Sequence, residues 1–414
     1  MKPNKNPVKA LFHASRRVAA NIWLNAFHRA TTQIGVTGSY GKTSTTHALY
    51  HIIKRHMPIV MTDLNLDTIY NVPITALKLR GERVLLLELG IDQRNEMSFH
   101  LEIARPNISI ITGIAPVHAD EEHLGSLENI IIEKRKLIET LDESGIAVLN
   151  FDNAHVRAMV PFTRGRVVSY GSTPDCDYHM TDVHLTTSGA SFQAVTPTDA
   201  FPISTPLLGT HNCVNLMGAI ATAIQLGVPV ETIQQAAASL KPLGGRLNIE
   251  PGPLGTTLIN DALRANPAST KAGLAFLSEL SSSGKKIAVV GEMGELGDVA
   301  VEEHTSVGQF AAECDLSLLI TVGDLTRHTA QAAQDSGMAE KNVFAAKNVH
   351  EAAALLKTHA GEGDLVYLKG SLMRHMERIP MLLNGEIIAC NVVFCPFYHQ
   401  CSACEYRTTG YQNR

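Results

Sequence analysis

Apolar residues recur at helical spacing through residues 10–30, at Leu11, Ala14, Val18, Ile22, Leu24 and Phe27, with basic residues between them. This pattern predicts a surface helix packed on the domain that follows. From Thr31 the pattern becomes short apolar runs separated by amphipathic stretches. Residues 83–89, 107–112 and 146–150 read as buried strands with helical segments between them. Such alternation implies a mostly parallel sheet with helices on both faces. Residues 165–206 are rich in Thr, Ser, Gly and Pro with short alternating runs, which predicts a small antiparallel elaboration. A helix is expected over 212–226. Pro242, Gly244 and Gly245 mark a boundary, after which a second strand–helix series begins. Its clearest strands are 257–259, 286–290, 316–322 and 365–368, and it runs to about residue 383. The expected organisation is an amphipathic segment over 1–30, α/β domains over 31–245 and 246–384, and a tail over 385–414. No internal repeat is visible.

Composition narrows the class. A chain of 414 residues suffices for two or three domains with substantial cores. Hydrophobic residues make up 45% and charged residues 18%, ordinary for a globular protein. A net charge of -5 gives no sign of a nucleic-acid partner. No apolar run is long enough to cross a bilayer, and the basic N-terminus has no continuous apolar core of a secretory signal. Packing on the first domain is preferred for that segment over a membrane-surface role, and a cytoplasmic enzyme is the expectation.

The seven cysteines are unevenly placed. Cys176, Cys213 and Cys314 are scattered, as buried thiols usually are. Cys390, Cys395, Cys401 and Cys404 fall within fifteen residues, with His399 among them. Four such thiols suit a tetrahedral sulfur site, zinc first and an iron–sulfur cluster second. Reduced, partly buried thiols or a redox-sensitive tail are the alternative.

The strongest chemical signal is Ile34-Gly35-Val36-Thr37-Gly38-Ser39-Tyr40-Gly41-Lys42-Thr43-Ser44. A β-branched run ends in two glycines and a lysine, and hydroxyl residues then open a helix. Glycines let several backbone N–H groups point at one anion, and the helix N-terminus favours negative charge. Lys42 can reach the β- and γ-phosphates of a nucleotide, and the Thr43 hydroxyl can ligate Mg²⁺. The first glycine of the usual phosphate loop is Val36 here.

Further motifs follow in order, and together the chain resembles the Mur ligases, ATP-dependent amide ligases of peptidoglycan precursor synthesis. The likeness is strongest to their D-alanyl-D-alanine-adding, MurF-type branch and covers about residues 31–380. The loop is similar to the family's TGTNGKTS. Glu88 in Leu-Glu-Leu-Gly resembles the Mg²⁺-ligating glutamate, and His118 the metal-site histidine. Lys134 resembles the lysine that is carbamylated and helps hold a second Mg²⁺, with Lys136 a rival. The segment Leu208 to Asn215, with Asn212 and Asn215, resembles the adenine-contacting motif. Gly245-Arg246 resembles the arginine motif that reaches the γ-phosphate. The run Asn260-Asp261 to Ser269 is similar to DDSYNANPxS, whose aspartate binds ribose. Gly291-Glu292-Met293-Gly294 and Lys369-Gly370-Ser371 resemble landmarks of the C-terminal domain.

The resemblance implies a central P-loop domain and a Rossmann-like C-terminal domain. It also implies ATP and Mg²⁺ as cofactors and an acyl phosphate attacked by an amine, with release of ADP and phosphate. Lys42, His118, Lys134 and Arg246 would carry the chemistry. Gly38, Gly41, Lys42, Thr43, Ser44, Asn212, Asn215, Arg246 and Asp261 would hold nucleotide. Thr43, Glu88, His118 and Lys134 would hold Mg²⁺. Partners would be a small carboxylate and an amino acid or peptide, with a homodimer left open.

The sequence also departs from the pattern. About 30 residues precede the loop strand, where typical members carry a UDP-sugar domain, so a non-UDP-sugar acceptor in a specialised pathway is expected. Folylpolyglutamate synthetase and the ligase domain of cyanophycin synthetase likewise begin near the loop. Leu263 and Arg264 replace the family's tyrosine and asparagine, and Arg264 is free to meet an acidic substrate. A ring-closing ligase on a cofactor precursor is a second enzyme reading, and a nucleotide-binding interaction module a non-enzyme one.

Overall fold

A computed structural model describes residues 7–63, 68–117, 119–397 and 401–411. It divides into two compact units. The first comprises Met1–His184, Ala190–Leu207 and His211–Lys241, and the second Leu185–Gly189, Leu208–Thr210 and Pro242–Arg414.

The first unit runs α1 (Pro7–Ile22), β1 (Thr32–Thr37), α2 (Lys42–Ile53), β2 (Ile59–Met61), α3 (Thr68–Ala76), β3 (Val84–Glu88), α4 (Glu96–Ile103), β4 (Ile108–Ile111), α5 (Leu127–Glu139), β5 (Ile146–Asn150), α6 (Ala154–Arg157) and β6 (Arg166–Tyr170). These six strands form one parallel sheet in the order β2-β3-β1-β4-β5-β6. Residues 84–87 and 108–111 are buried throughout, because helices cover both faces of a parallel sheet and leave no polar side. Leu85, Leu87, Ile111 and Leu149 share one core with Ile130 and Leu137 of α5. Each fully buried side chain of this size contributes about 1.5–3 kcal/mol. Strand β1 lies between β3 and β4. The chain leaves β1 toward β2 on one side, and β3 then crosses to β4 on the other, so the carboxyl end of β1 lies at the reversal of strand order where ligands bind in open α/β sheets.

Helix α1 packs on α3 and α4. Ala20 and Leu24 join the core beside Val72, Ala76 and Leu101. Arg17 pairs with Glu102 at 3.0 Å and lies 4.4 Å over the Phe99 ring. The expected antiparallel elaboration is only partly so: its first strand, β6, joins the main sheet parallel to β5. The remainder forms a separate three-stranded sheet of β7 (His179–Thr186), β8 (Gly189–Val195) and β9 (Ala200–Thr205), followed by α7 (Thr210–Gln225) and α8 (Val230–Ala238).

The second unit runs β10 (Asn248–Pro251), β11 (Thr257–Asp261), α9 (Pro267–Glu279), β12 (Lys286–Gly291), α10 (Ala300–Glu313), β13 (Leu318–Val322), α11 (Thr326–Asp335), β14 (Val343–Ala346), α12 (Val349–His359), β15 (Leu365–Lys369) and α13 (Arg378–Leu383). Its sheet has the order β10-β11-β15-β12-β13-β14, with only β10 antiparallel to its neighbour. Helix α9 starts where Asn266 and Ser269 close a capping box and Pro267 occupies the first turn.

The cysteine-bearing tail folds back onto this unit. The buried Arg378 guanidinium donates to the carbonyls of Cys390 at 3.2 Å and Val392 at 2.8 Å. The rings of Phe397, Tyr406 and Tyr411 pack together at 5.1–5.7 Å. Among the described residues, no helix is long and apolar enough to cross a membrane.

Candidate functional site

The phosphate loop joins β1 to α2. Gly41 has φ 80°, in the left-handed region that a side chain disfavours. A Cβ there would also sit 2.4 Å from Asn215 Oδ1, and one at Gly38 would sit 2.2 Å from Thr112 Oγ1. The loop is therefore pressed against β4 and α7, which only glycine allows. No side chain caps α2, whose first residue is Lys42. Its first-turn amides and dipole suit an anion. Lys42 Nζ donates to the Gly38 carbonyl at 2.7 Å, which folds the ammonium back over the loop. Ser44 is half-buried in the same turn.

Thr43 Oγ1 donates to Glu88 Oε1 at 2.9 Å. A hydroxyl and a carboxylate side by side, next to a glycine-walled anion cradle, are hard oxygen donors of the kind Mg²⁺ prefers. These residues thus fit a magnesium nucleotide.

Helix α5, capped by Ser126, separates three consecutive cations. Arg135 turns outward to Glu139 at 2.6 Å and the Phe162 ring at 3.7 Å. Lys136 reaches Glu133 at 2.5 Å and Ser98 at 3.3 Å. Lys134 points inward and is only 3% exposed. Burial, then repulsion from Lys42, brings its pKa down to about 7, against the opposing pull of Asp92, Glu96 and Glu133. Geometry thus distinguishes Lys134 from its rival Lys136. One oxygen of the neighbouring Glu133 carboxylate, Oε2, is buried without a hydrogen bond among the described residues. His118 lies outside the described residues. Asn212 and Asn215 are buried on α7, and Asn215 sits beneath Gly41, supporting the loop.

In the second unit Asp261 ends β11. Its Oδ2 accepts from Lys369 Nζ at 2.6 Å and Tyr367 Oη at 3.2 Å, and its Oδ1 from the Leu247 amide at 3.2 Å. Lys369 is buried, and desolvation lowers its pKa while Asp261 raises it. Arg246 is half-buried at the entry to β10, and Arg264 is exposed. The other C-terminal motifs hold each other: Glu292 pairs with Arg374 at 2.9 Å, and the Gly294 amide donates to Ser371 Oγ at 3.2 Å. Sequence reasoning missed both ion pairs, since their partners are scores of residues apart and meet only across the sheet.

Cys390, Cys395 and Cys401 are buried and Cys404 half-buried, all unbridged. Among the described residues, the metal-compatible cluster is mixed: His375, Glu377 and Cys401.

Comparison with known proteins decides the family. Residues 36–223 match the Mur ligase middle domain and residues 245–372 the Mur ligase glutamate ligase domain. The chain belongs to the Mur ligase family. It is 31% identical over 363 residues to the UDP-N-acetylmuramoyl-tripeptide–D-alanyl-D-alanine ligase of Treponema pallidum, covering 86% of this chain and 75% of that one. The Bacillus subtilis ligase of the same name is 29% identical over 350 residues, with 84% and 75% covered. A crystal structure of MurF from Acinetobacter baumannii superposes with a TM-score of 0.78 at 28% identity, covering 90% of this chain and 79% of that one. Within the family this Mur ligase is MurF-like, and its enzyme class is that of ATP-dependent acid–amino-acid ligases.

Proposed function

We propose that this Mur ligase activates a carboxylate as an acyl phosphate with ATP, and joins it to the amine of an amino acid or small peptide with release of ADP and phosphate. The observation that carries the reading is the Lys42, Thr43, Glu88 and Lys134 constellation at the carboxyl end of the parallel sheet. Loop amides and Lys42 would bind the β- and γ-phosphates and meet charge developing on the transferred group. Thr43 and Glu88 would hold Mg²⁺, which supplies neutralisation of phosphate charge when bound. Lys134, with a pKa of about 7, is partly neutral at physiological pH. A neutral amine can add CO₂, losing a proton and becoming a carbamate that offers anionic oxygens. Glu88, His118 and that carbamate form the proposed metal set. Asn212 in the first unit, and Arg246 and Asp261 in the second, are the further nucleotide-binding candidates.

The acceptor proposed is a carboxylate other than a UDP-sugar peptide. The exposed Arg264 offers a cation to an acidic substrate.

The test is ADP and phosphate release with paired acids and amines. Lys42→Ala is expected to lower turnover by about 10²–10³-fold with folding unchanged. Unchanged turnover would remove the phosphate-site assignment, and AMP as product would remove the acyl-phosphate route. Faster turnover with UDP-N-acetylmuramoyl-tripeptide and D-alanyl-D-alanine than with smaller acids would overturn the acceptor reading alone.

A further inference from the structure

His375 is a buried residue in an unusual backbone state. It is 1% exposed and has φ 46° and ψ 52°, left-handed, directly after the Leu372–Arg374 turn. A non-glycine residue in this region requires support from its surroundings. Here both ring nitrogens are engaged. Nε2 lies 3.1 Å from the Phe397 carbonyl oxygen, and Nδ1 lies 2.8 Å from Glu377 Oε1. A carbonyl only accepts, so Nε2 carries the proton, and a neutral ring then turns its Nδ1 lone pair toward a carboxylate oxygen. Two acceptors at that separation repel unless a cation lies with them. A proton, making an imidazolium, is one solution, and a metal ion is the other.

Three further observations favour the metal. Cys401 Sγ, His375 Nδ1 or Nε2, and a Glu377 oxygen all lie within 4.8 Å of one another, close enough for one central ion to meet all three. Hydrogen-bonding of the second ring nitrogen to a backbone carbonyl is how ligating histidines are oriented. The surroundings are prearranged: the Cys401 amide donates to Glu377 Oε1 at 3.2 Å, and the Cys395 amide donates to the Met373 carbonyl at 2.9 Å. Cys395 and Cys404 are among the neighbours whose charge acts on Cys401, after burial, Glu377 and Arg378. The spacing Cys401-x2-Cys404 also suits two thiolates on one ion.

We propose that His375, Glu377 and Cys401 form a divalent transition-metal site, zinc first, completed by the thiol of Cys395 or Cys404. The site fastens the tail to the turn that follows the Lys369-Gly370-Ser371 motif. It is independent of the ligase reading, since none of its residues belongs to the phosphate site. A mixed nitrogen, oxygen and sulfur set suits zinc and leaves too few thiolates for an iron–sulfur cluster.

The experiment uses the full chain purified from zinc-supplemented cells. Elemental analysis is expected to find one zinc per chain, and the cobalt-substituted protein to show thiolate-to-cobalt absorption. His375→Asn keeps a residue that tolerates the left-handed backbone, and Glu377→Gln keeps an acceptor for the Cys401 amide. Each is expected to lower zinc content several-fold. Cys401→Ser should abolish the cobalt band, while Cys390→Ser and Cys314→Ser retain full metal. Should a variant fail to fold, the wild-type chain still decides: Cys401 should resist alkylation until a chelator removes zinc, as read by mass spectrometry. No retained metal would leave an imidazolium–carboxylate pair and overturn the proposal. So would full metal in His375→Asn with loss in Cys390→Ser, which would mean a four-thiol site.

Discussion

Each unit buries one lysine beside its principal motif, and the two are held in different ways. Lys134 on α5 and Lys369 on β15 are 3% and 1% exposed, and desolvation lowers the pKa of both. Lys369 has an anion at contact distance, Asp261 at 2.6 Å, with Tyr367 on the same carboxylate. Lys134 instead feels Lys42 as its largest charged neighbour, with three carboxylates pulling the other way. Burial alone does not make a lysine reactive; the partner decides. A lysine paired at contact distance has an anion that opposes the effect of desolvation, and the pair joins two strands. One buried against another cation is brought down to a pKa of about 7, and its neutral amine is the form proposed to add CO₂.

Breaking the first side of this comparison should have the largest effect. Lys134→Ala is expected to lower ADP release by about 10³-fold, within the span of lost transition-state charge stabilisation. Added acetate should restore part of the rate by placing an oxygen anion in the vacated space, and Lys134→Arg should stay inactive with or without it. Steady-state phosphate release checks both, and full activity in Lys134→Arg would refute the carbamate role.

Breaking the second side should show in stability. Lys369→Met leaves the Asp261 carboxylate buried without its cation, and is expected to cost about 3–5 kcal/mol in urea unfolding. The double variant Lys369→Met/Asp261→Asn should recover part of that loss, since the stranded charge is gone. If the double variant is as unstable as the sum of the singles, the pair is not coupled as the geometry requires.

The lysines should also separate by pH. The folded-state pKa of Lys134 is about 7 and its ordinary value 10.5. Between these values the unfolded chain holds a proton that the folded one has shed, so the contribution of this group to stability rises with pH through that window. It is least favourable below pH 7, where the folded state must bury a charge. Each pH unit is equivalent to about 1.4 kcal/mol. Lys134→Met should therefore stabilise the unliganded protein most at acid pH, with the gain shrinking above pH 7. Urea melts in CO₂-free buffer at several pH values measure this, and a pH-independent gain would mean that Lys134 is not desolvated as described.

The readability of these features from sequence follows their range. The phosphate loop lies within one strand–turn–helix, so Gly41, Lys42 and Thr43 are legible from local chemistry. The apolar run before Glu88 marks a buried strand, but a glutamate at a strand end is by itself ordinary, and only the ordered set of motifs singles it out. Lys134 could not be separated from Lys136 by spacing, because the inward face of α5 is set by its packing on the sheet. Asp261 and Lys369 lie 108 residues apart and meet only through the β11–β15 pairing. Strand β6 was hidden in a stretch whose composition is dominated by the separate three-stranded sheet. In the tail the four cysteines stood out, but the nitrogen and oxygen that share a cluster with Cys401 come from a turn 24 to 26 residues upstream.

The smallest predicted effect sharpens the choice among the three cations of α5. Arg135 pairs with Glu139 one helical turn on and covers the ring of Phe162, with side-chain exposures of 22% and 36% for the ion pair. Pairs this open to water are screened and contribute about 0.3–0.5 kcal/mol, and a cation over an accessible ring adds about 0.5–1 kcal/mol. Arg135→Ala should thus lower stability by about 1 kcal/mol in urea melts and leave ADP release unchanged. A large loss of turnover there would mean that the outward face of α5, rather than the inward-facing Lys134, meets the reacting groups, and the contrast between the two buried lysines would lose its catalytic meaning.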